Sequence, residues 1–387
     1  MFFVTHIDSK ICIGLKFSMK DVPMVRKDFI KPDGRYLVLY SDSQISELII
    51  PTNPPHAPFI PNPHMRWHQL REEWVVYAAH RQNRTFLPPK EYSPLAVTNN
   101  LDFPTELPAG KYDIAVFENL FPSFYKDAED NSEMPLLAPP AKGICEVMVF
   151  TQNPDVSLGQ MSVKEIKLVL QVIADRTKEL GEKPYIKYVL PFENRGVEVG
   201  VTLHHPHGQI YSYPFVPPVP ARLVETQKNY FDRHGKTLLQ DVLQQEATDG
   251  RRVLVNEPRV KAFIPSFARY AYETWIVPDR PHPWFYEFSD QELEQTARVL
   301  KTVLMKFDRL WNQPFPYLMT FYQAPTDGDS HKEFHSHIQI YPAYRAQGKL
   351  KYLAGTELGA GVFVNDSFPE DKAKDLIDVK IDEREVQ

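Results

Sequence analysis

The chain has 387 residues, 43% hydrophobic, 24% charged and 12% aromatic, a composition of folded globular enzymes and far from that of disordered or collagen-like sequences. Its 44 lysines and arginines stand against 50 aspartates and glutamates, a net charge of −6, so no basic footprint marks a nucleic-acid or anionic-membrane surface and a phosphorylated ligand has to be held locally. No apolar run approaches the roughly 20 residues of a membrane span, residues 1–20 lack the apolar centre of a signal peptide, and Cys12 and Cys145 are too few for a disulfide framework, which makes a reducing cytoplasm the simplest home.

In chain order, residues 1–63 read as an N-terminal arm. Lys31-Pro-Asp-Gly34 turns into a strand over Arg35–Tyr40, able to extend a sheet or a dimer contact, and six prolines from Pro51 to Pro63 make an extended connector. Proline is the one compositional excess, 35 of 387 residues, about twice its usual share. Residues 64–220 form a first unit: a strand from Trp74 ends in His80-Arg81 with Arg84 beyond it, a helix begins at the capping box Ser162-Val-Lys-Glu165, and a strand follows Pro184-Tyr185. A second proline cluster, Pro214 to Pro220, closes it. Residues 221–370 form a second unit, with a helix at about 221–247, a turn at Thr248-Asp-Gly250, strands near 252–256 and 260–264, a capping box Ser289-Asp-Gln-Glu292 and a strand after Pro316-Tyr317. A charged tail over 371–387 ends the chain.

The two units echo each other. His205-Pro-His-Gly-Gln-Ile-Tyr211 and His335-Ser-His-Ile-Gln-Ile-Tyr341 share H-x-H-x-Q-I-Y at a spacing of 335 − 205 = 130, the two capping boxes lie 127 apart, and Phe121-Pro-Ser-Phe124 is answered by Ile264-Pro-Ser-Phe267. Ordered landmarks of this kind predict a duplicated α+β fold, with antiparallel sheets flanked by helices.

In an extended strand residues i and i+2 share a face, so H-x-H-x-Q predicts two imidazoles and an amide in one row. For H-x-H alone a metal pair competes evenly with catalysis, although the carboxylate of a cupin-type site is missing after the first copy. Facing a phosphate, His207 is a candidate nucleophile, Gln209 a donor to the non-bridging oxygens, Gly208 a place for close backbone approach and His205 an orienting ring. Arg81 and Arg84 are candidate diphosphate clamps.

These residues, with Glu73–Arg84, Val116–Phe124, Phe192-Glu-Asn-Arg-Gly196 and the region Lys351–Asp366, make the chain resemble the galactose-1-phosphate uridylyltransferase family of the histidine-triad superfamily, from about Trp67 to Glu370. The resemblance implies a duplicated histidine-triad-like fold with the first copy active. It also implies a ping-pong exchange of UMP between UDP-glucose and galactose 1-phosphate through a uridylyl-histidine, in a homodimer whose second subunit completes each site. His207 falls on the uridylylated position and Gln209 on the residue that bonds the transferred phosphoryl group. Arg81, Arg84, Asn119, Asn194 and Thr202 fall on nucleotide- and phosphate-binding positions, and Lys351 and Glu357 on the segment that contacts phosphate and hexose. Phe363 or Asn365 stands near one further hexose position.

The departures concern metals. Ser93, Ala96 and Val156 replace three of the four ligands of the family's zinc site, leaving His205 alone, so no zinc is expected in the first half. In the second half His335 and His337 remain as a candidate weak metal site, with Tyr322 in place of a third histidine, Glu225 an approximate match for the carboxylate and His331 a conceivable substitute. No cofactor is otherwise required. The alternatives are a nucleoside-diphosphate-sugar or dinucleotide phosphorylase of the same superfamily, or a non-catalytic nucleotide-sugar binder.

Overall fold

A computed structural model describes residues 24–83, 88, 93–130 and 138–386; Cys12 and Arg84 lie outside the described residues. The predicted turn at Lys31–Gly34 joins β1 (Val25–Ile30) to β2 (Tyr36–Ser41), with Gly34 at φ 86°, a conformation open to a residue without Cβ. The hairpin β3 (His64–His68) and β4 (Glu73–Tyr77) stands apart from the main sheet, and a 3₁₀ turn over Ala79–Asn83 carries His80 and Arg81.

The first unit then supplies β5 (Ile114–Glu118), β6 (Ile144–Val149), α1 (Val163–Gly181), β7 (Tyr188–Arg195) and β8 (His207–Tyr213). Two helices, α2 (Pro218–His234) and α3 (Leu238–Asp249), take the place of the single one expected over 221–247; Gly235, at φ 68°, ends the first of them. The second unit repeats the pattern with β9 (Val253–Asn256), β10 (Val260–Phe263), β11 (Thr274–Pro278), α4 (Asp290–Leu310), β12 (Tyr317–Tyr322) and β13 (His337–Pro342). A small hairpin, β14 (Tyr344–Ala346) and β15 (Lys349–Leu350), and α5 (Pro369–Asp378) follow.

Eleven strands form one sheet in the order β1-β2-β5-β6-β8-β7-β12-β13-β11-β10-β9, each neighbour antiparallel to the next. The duplication is visible in that order, because β5-β6-β8-β7 and β10-β11-β13-β12 run outward from the central pair β7 and β12, where Phe192 sits opposite Thr320 and Asn194 opposite Leu318. Both capping boxes form. Ser162 and Ser289 accept from the amides of Glu165 and Glu292, whose carboxylates reach back to the serine amides at 2.7 and 2.8 Å.

Helices α1 and α4 lie together on one face of the sheet. Their buried rows, among them Ile166, Leu170, Ile173, Leu300, Leu304 and Phe307, join Val116, Met148, Ile276 and Ile340 from the strands in one core. Each such side chain contributes about 1.5–3 kcal/mol on leaving water. Since strand residues alternate, Gly208, Ile210 and Ser212 of β8 turn to this helix side while His207, Gln209 and Tyr211 turn to the other. The open face is therefore the one opposite α1.

The arm extends the sheet, one of the two places open to its turn and strand: Leu37, Val38, Leu39 and Tyr40 of β2 are all buried, pairing with β5 and packing into cores on both faces. The charged tail over 371–387 folds onto the second unit, with Ala373, Leu376 and Val386 buried in the α4 core and Lys306 donating to the carbonyls of Leu376 and Val379. Charged residues alternate there with a narrow apolar stripe that a compositional reading overlooks.

Candidate active site

On the open face of the first unit lies a cavity of about 610 Å³. His207, Gln209 and Tyr211 enter it from β8, Phe192 and Asn194 from β7, Val147 from β6, Phe117 and Asn119 from the end of β5, Thr202 from the loop before β8, and Arg81 from the 3₁₀ turn. The predicted residues Arg81, Asn119, Asn194, Thr202, His207 and Gln209 thus meet at one place, although they are spread over 209 − 81 = 128 positions of sequence.

The ring of His207 is fixed by its own neighbour. Its Nδ1–H donates to the carbonyl of His205 at 2.7 Å, which places the lone pair of the neutral ring on Nε2. Burial pushes its pKa down, so the ring is neutral at ordinary pH. Gly208, the next residue, has no room for a side chain: a Cβ there would lie 2.9 Å from the Phe150 ring and 3.1 Å from the carbonyl of Phe192. Arg81 is held by its Nη1 on the carbonyl of Phe121 at 2.6 Å. Asn119 accepts from the amide of Phe121 at 2.9 Å through Oδ1, leaving its amide hydrogens as donors.

His205 departs from the expected row. Strand β8 begins only at His207, and Pro206 interrupts the alternation before it, so the His205 ring turns away from the cavity and donates from Nε2 to the carbonyl of Thr151 at 2.7 Å. It orients His207 through its backbone carbonyl and not through its ring. Its Nδ1 is buried without a partner beside Ser93 and Pro154.

That unpartnered nitrogen marks where the family's zinc ligands would gather, and the other three positions do not fit a metal. Ser93 Oγ accepts from the amide of Leu95 at 3.3 Å, Ala96 offers no donor, and Val156 packs on the helix core. The second-half set does not fit either. His335 has Nε2 on the Pro278 carbonyl at 2.8 Å and Nδ1 on Thr237 Oγ1 at 3.2 Å; His337 has Nδ1 on the His335 carbonyl at 2.9 Å and Nε2 on the Gln339 amide at 2.8 Å. All four ring nitrogens are committed, and the candidate weak metal site is corrected accordingly. Burial pushes the two pKa values down to about 3 and about 4. Glu225 is exposed on α2, Tyr322 bonds Tyr341, and His331 pairs with Asp327 at 2.8 Å. Trp275 stacks on the His337 ring at 5.3 Å, so the second copy is a packed core where the first is a cavity.

Lys351 and Glu357 do not line the cavity; they pair with each other at 3.2 Å, and Glu357 also accepts from the amides of Ala354 and Val364. Phe363 packs against Tyr270, and Asn365 donates to the carbonyl of Ala268. Conversely, the sequence left unmarked an apolar slot of Leu95, Phe117 and Val147, the buried carboxylate of Glu106, and Pro54, Pro55 and His56 of the connector, all of which line the cavity. Both β5 and β6 are buried along nearly their whole length, so no alternation in the sequence marked the slot. A flat base fits between such side chains while Arg81, Gln209 and the amides face a phosphate.

The sequence profile of the galactose-1-phosphate uridyl transferase N-terminal domain matches residues 58–217, and that of its C-terminal domain residues 223–383. Among curated relatives, galactose-1-phosphate uridylyltransferase of Thermotoga maritima is 36% identical over 82% of this chain and 99% of its own length, and that of Rattus norvegicus 31% identical over 81% and 86%. A solved structure described as a uridylyltransferase superposes with a TM-score of 0.74 at 30% identity, covering 81% of this chain and 98% of its own. An ADP-glucose phosphorylase of Arabidopsis thaliana, at 23% identity and a TM-score of 0.62 over 83% of this chain and 100% of its own, shares the fold.

Proposed function

Because the chain belongs to the galactose-1-phosphate uridylyltransferase family and transfers UMP between hexose 1-phosphates, we propose that it does so in two displacements through a uridylyl group on His207. The Nε2 lone pair attacks the α-phosphorus of UDP-glucose and the bond to glucose 1-phosphate breaks. A phosphate oxygen of galactose 1-phosphate then attacks the same phosphorus, UDP-galactose leaves, and the ring recovers its lone pair. The Nδ1–H bond to the His205 carbonyl steadies the positive charge that the ring acquires in between. Gln209 and Arg81 donate to the phosphoryl oxygens. Base and ribose occupy the slot beside Leu95, Phe117 and Asn119, while Asn194 and Thr202 close on the diphosphate. Arg84, the other clamp candidate read from the sequence, lies outside the described residues.

The observation that carries this reading is the ring of His207, with Nδ1 committed to a carbonyl and the opposite nitrogen left to the cavity that Gln209 and Arg81 share. The donor sets around His205 and His335 support chemistry carried by the chain's own side chains without a resident metal. For the acceptor, we propose that Lys351 and Glu357 serve the cavity of a second copy. Tyr352, Leu358, Val362 and Val364 around them are exposed, as in a segment that docks on another subunit. Among the described residues no helix is long and apolar enough to cross a membrane. Cys145 is free and buried with its thiol pushed up to about 12, which accords with a reducing cytoplasm.

Intact-protein mass at neutral or alkaline pH tests the scheme. UDP-glucose alone is expected to leave a uridylyl adduct, absent in His207→Ala, that galactose 1-phosphate removes. An adduct discharged only by inorganic phosphate would make the chain a phosphorylase, and no adduct at all would favour a binder.

A further inference from the structure

The family profile matches from residue 58 on, so the arm lies ahead of the matched region. It nevertheless reaches the active cavity. Pro54, Pro55 and His56 line the same space as His207 and Gln209. His56 also stands, with Asn119 and Leu120, where that space meets an adjoining chamber of about 400 Å³.

The arm is built to hold this position. Lys31 is buried, its ammonium bonded to the carbonyl and carboxylate of Glu106, and Arg35 bridges Asp33, Glu106 and the Glu118 carbonyl. Glu106 is itself a wall of the cavity, so arm and site share one buried charge network. The His56 ring is fixed from three sides: Nδ1 is 3.0 Å from the Ala57 carbonyl, Nε2 is 3.5 Å from the Asp33 carboxylate, and Phe59 meets the ring edge-on. Phe59 in turn stacks on Phe121, another wall of the cavity, at 5.5 Å.

We propose that His56 is a further substrate-binding residue, which hydrogen-bonds a sugar hydroxyl of the nucleotide sugar at the wall supplied by the arm. Nε2 faces the Asp33 carboxylate, which can only accept, so Nε2 is the donor of that pair, and at 3.5 Å the contact is too long for a full hydrogen bond and leaves the N–H to a ligand oxygen. Asn119, whose Oδ1 is already taken by the Phe121 amide, presents donors at the same junction. Two donors beside the Asp33 carboxylate are the complement of a hydroxyl, which takes hydrogens on its oxygen and gives its own to an acceptor. The inference rests on the reading of the cavity as the UDP-glucose site.

The test is steady-state exchange by the full chain and by His56→Ala and His56→Gln, each with its melting temperature. His56→Ala is expected to raise KM for UDP-glucose about tenfold, the factor of one hydrogen bond, with kcat and melting temperature nearly unchanged. His56→Gln, whose amide also donates, is expected to recover most of the loss. UDP-glucose carrying 2′-deoxyribose identifies the hydroxyl: if parent and His56→Ala then coincide it belongs to the ribose, and if their difference persists it belongs elsewhere on the substrate. Unchanged KM in His56→Ala, or a loss that follows melting temperature and is not recovered by glutamine, overturns the inference. A parent chain without exchange activity would instead sink the reading of the cavity.

Discussion

Glu193 sits on β7, at the seam between the two halves, and is buried to 4% exposure with its carboxylate accepting from the Tyr317 hydroxyl of β12 at 2.9 Å. Burial raises its pKa from 4.5 to about 7, with Arg195 opposing the shift. A carboxyl whose pKa is higher in the folded state binds more protons folded than unfolded, so stability falls as pH rises from about 4.5 to about 7 and levels off above. The shift of roughly 2.5 pH units, at 1.36 kcal/mol each, sets the loss at about 3 kcal/mol. Glu193→Gln keeps the acceptor for Tyr317 and removes the charge. Urea unfolding of both proteins at pH 5, 6, 7 and 8 is expected to show the variant gaining on the parent by about 3 kcal/mol across the series, nearly all of it by pH 8. A difference between the two proteins that does not change with pH would refute the reasoning and mean that water or Arg195 compensates the buried charge.

The second copy is expected to be structural: His335→Ala leaves the Pro278 carbonyl without its imidazole donor, takes one partner from the Thr237 hydroxyl and lowers stability by about 2 kcal/mol, while the uridylyl adduct still forms in the mass assay. Loss of the adduct in a normally folded variant would show that the second copy takes part in chemistry. If Lys351 and Glu357 serve a second copy's cavity, co-expressed His207→Ala and Glu357→Ala chains regain about a quarter of parental exchange, because a mixed dimer keeps one intact site of two. Activity no higher than in either variant alone would place Glu357 in its own subunit's site or outside the chemistry.

Some features are legible because they are local. A capping box is three residues of sequence, and the repeated H-x-H-x-Q-I-Y, the two boxes and the two Pro-Ser-Phe segments imposed a duplication that the strand order bears out. Arg81, His207 and Gln209 are legible in short motifs, Asn119, Asn194 and Thr202 follow from the family resemblance, and all six line the cavity. Where a short-range rule met an exception the reading failed: strand alternation put His205 beside His207, but Pro206 delays the strand by two residues and turns that ring away.

What the sequence by itself determined is the set of reactive groups and the repeat that carries them, since both are written in contiguous residues. The resemblance already implied an active first copy, but the physical difference between the copies lies only in three dimensions. In the first the face of β8 looks into a cavity; in the second the matching face of β13 is closed by Trp275 and by hydrogen bonds that consume every ring nitrogen. The arm's place in the site is likewise a tertiary fact. Nothing in the residues around Pro54-Pro-His56 announces a binding wall, and it becomes one because β2 pairs with β5 and the Lys31, Arg35 and Glu106 charges, costly to bury apart, are buried together.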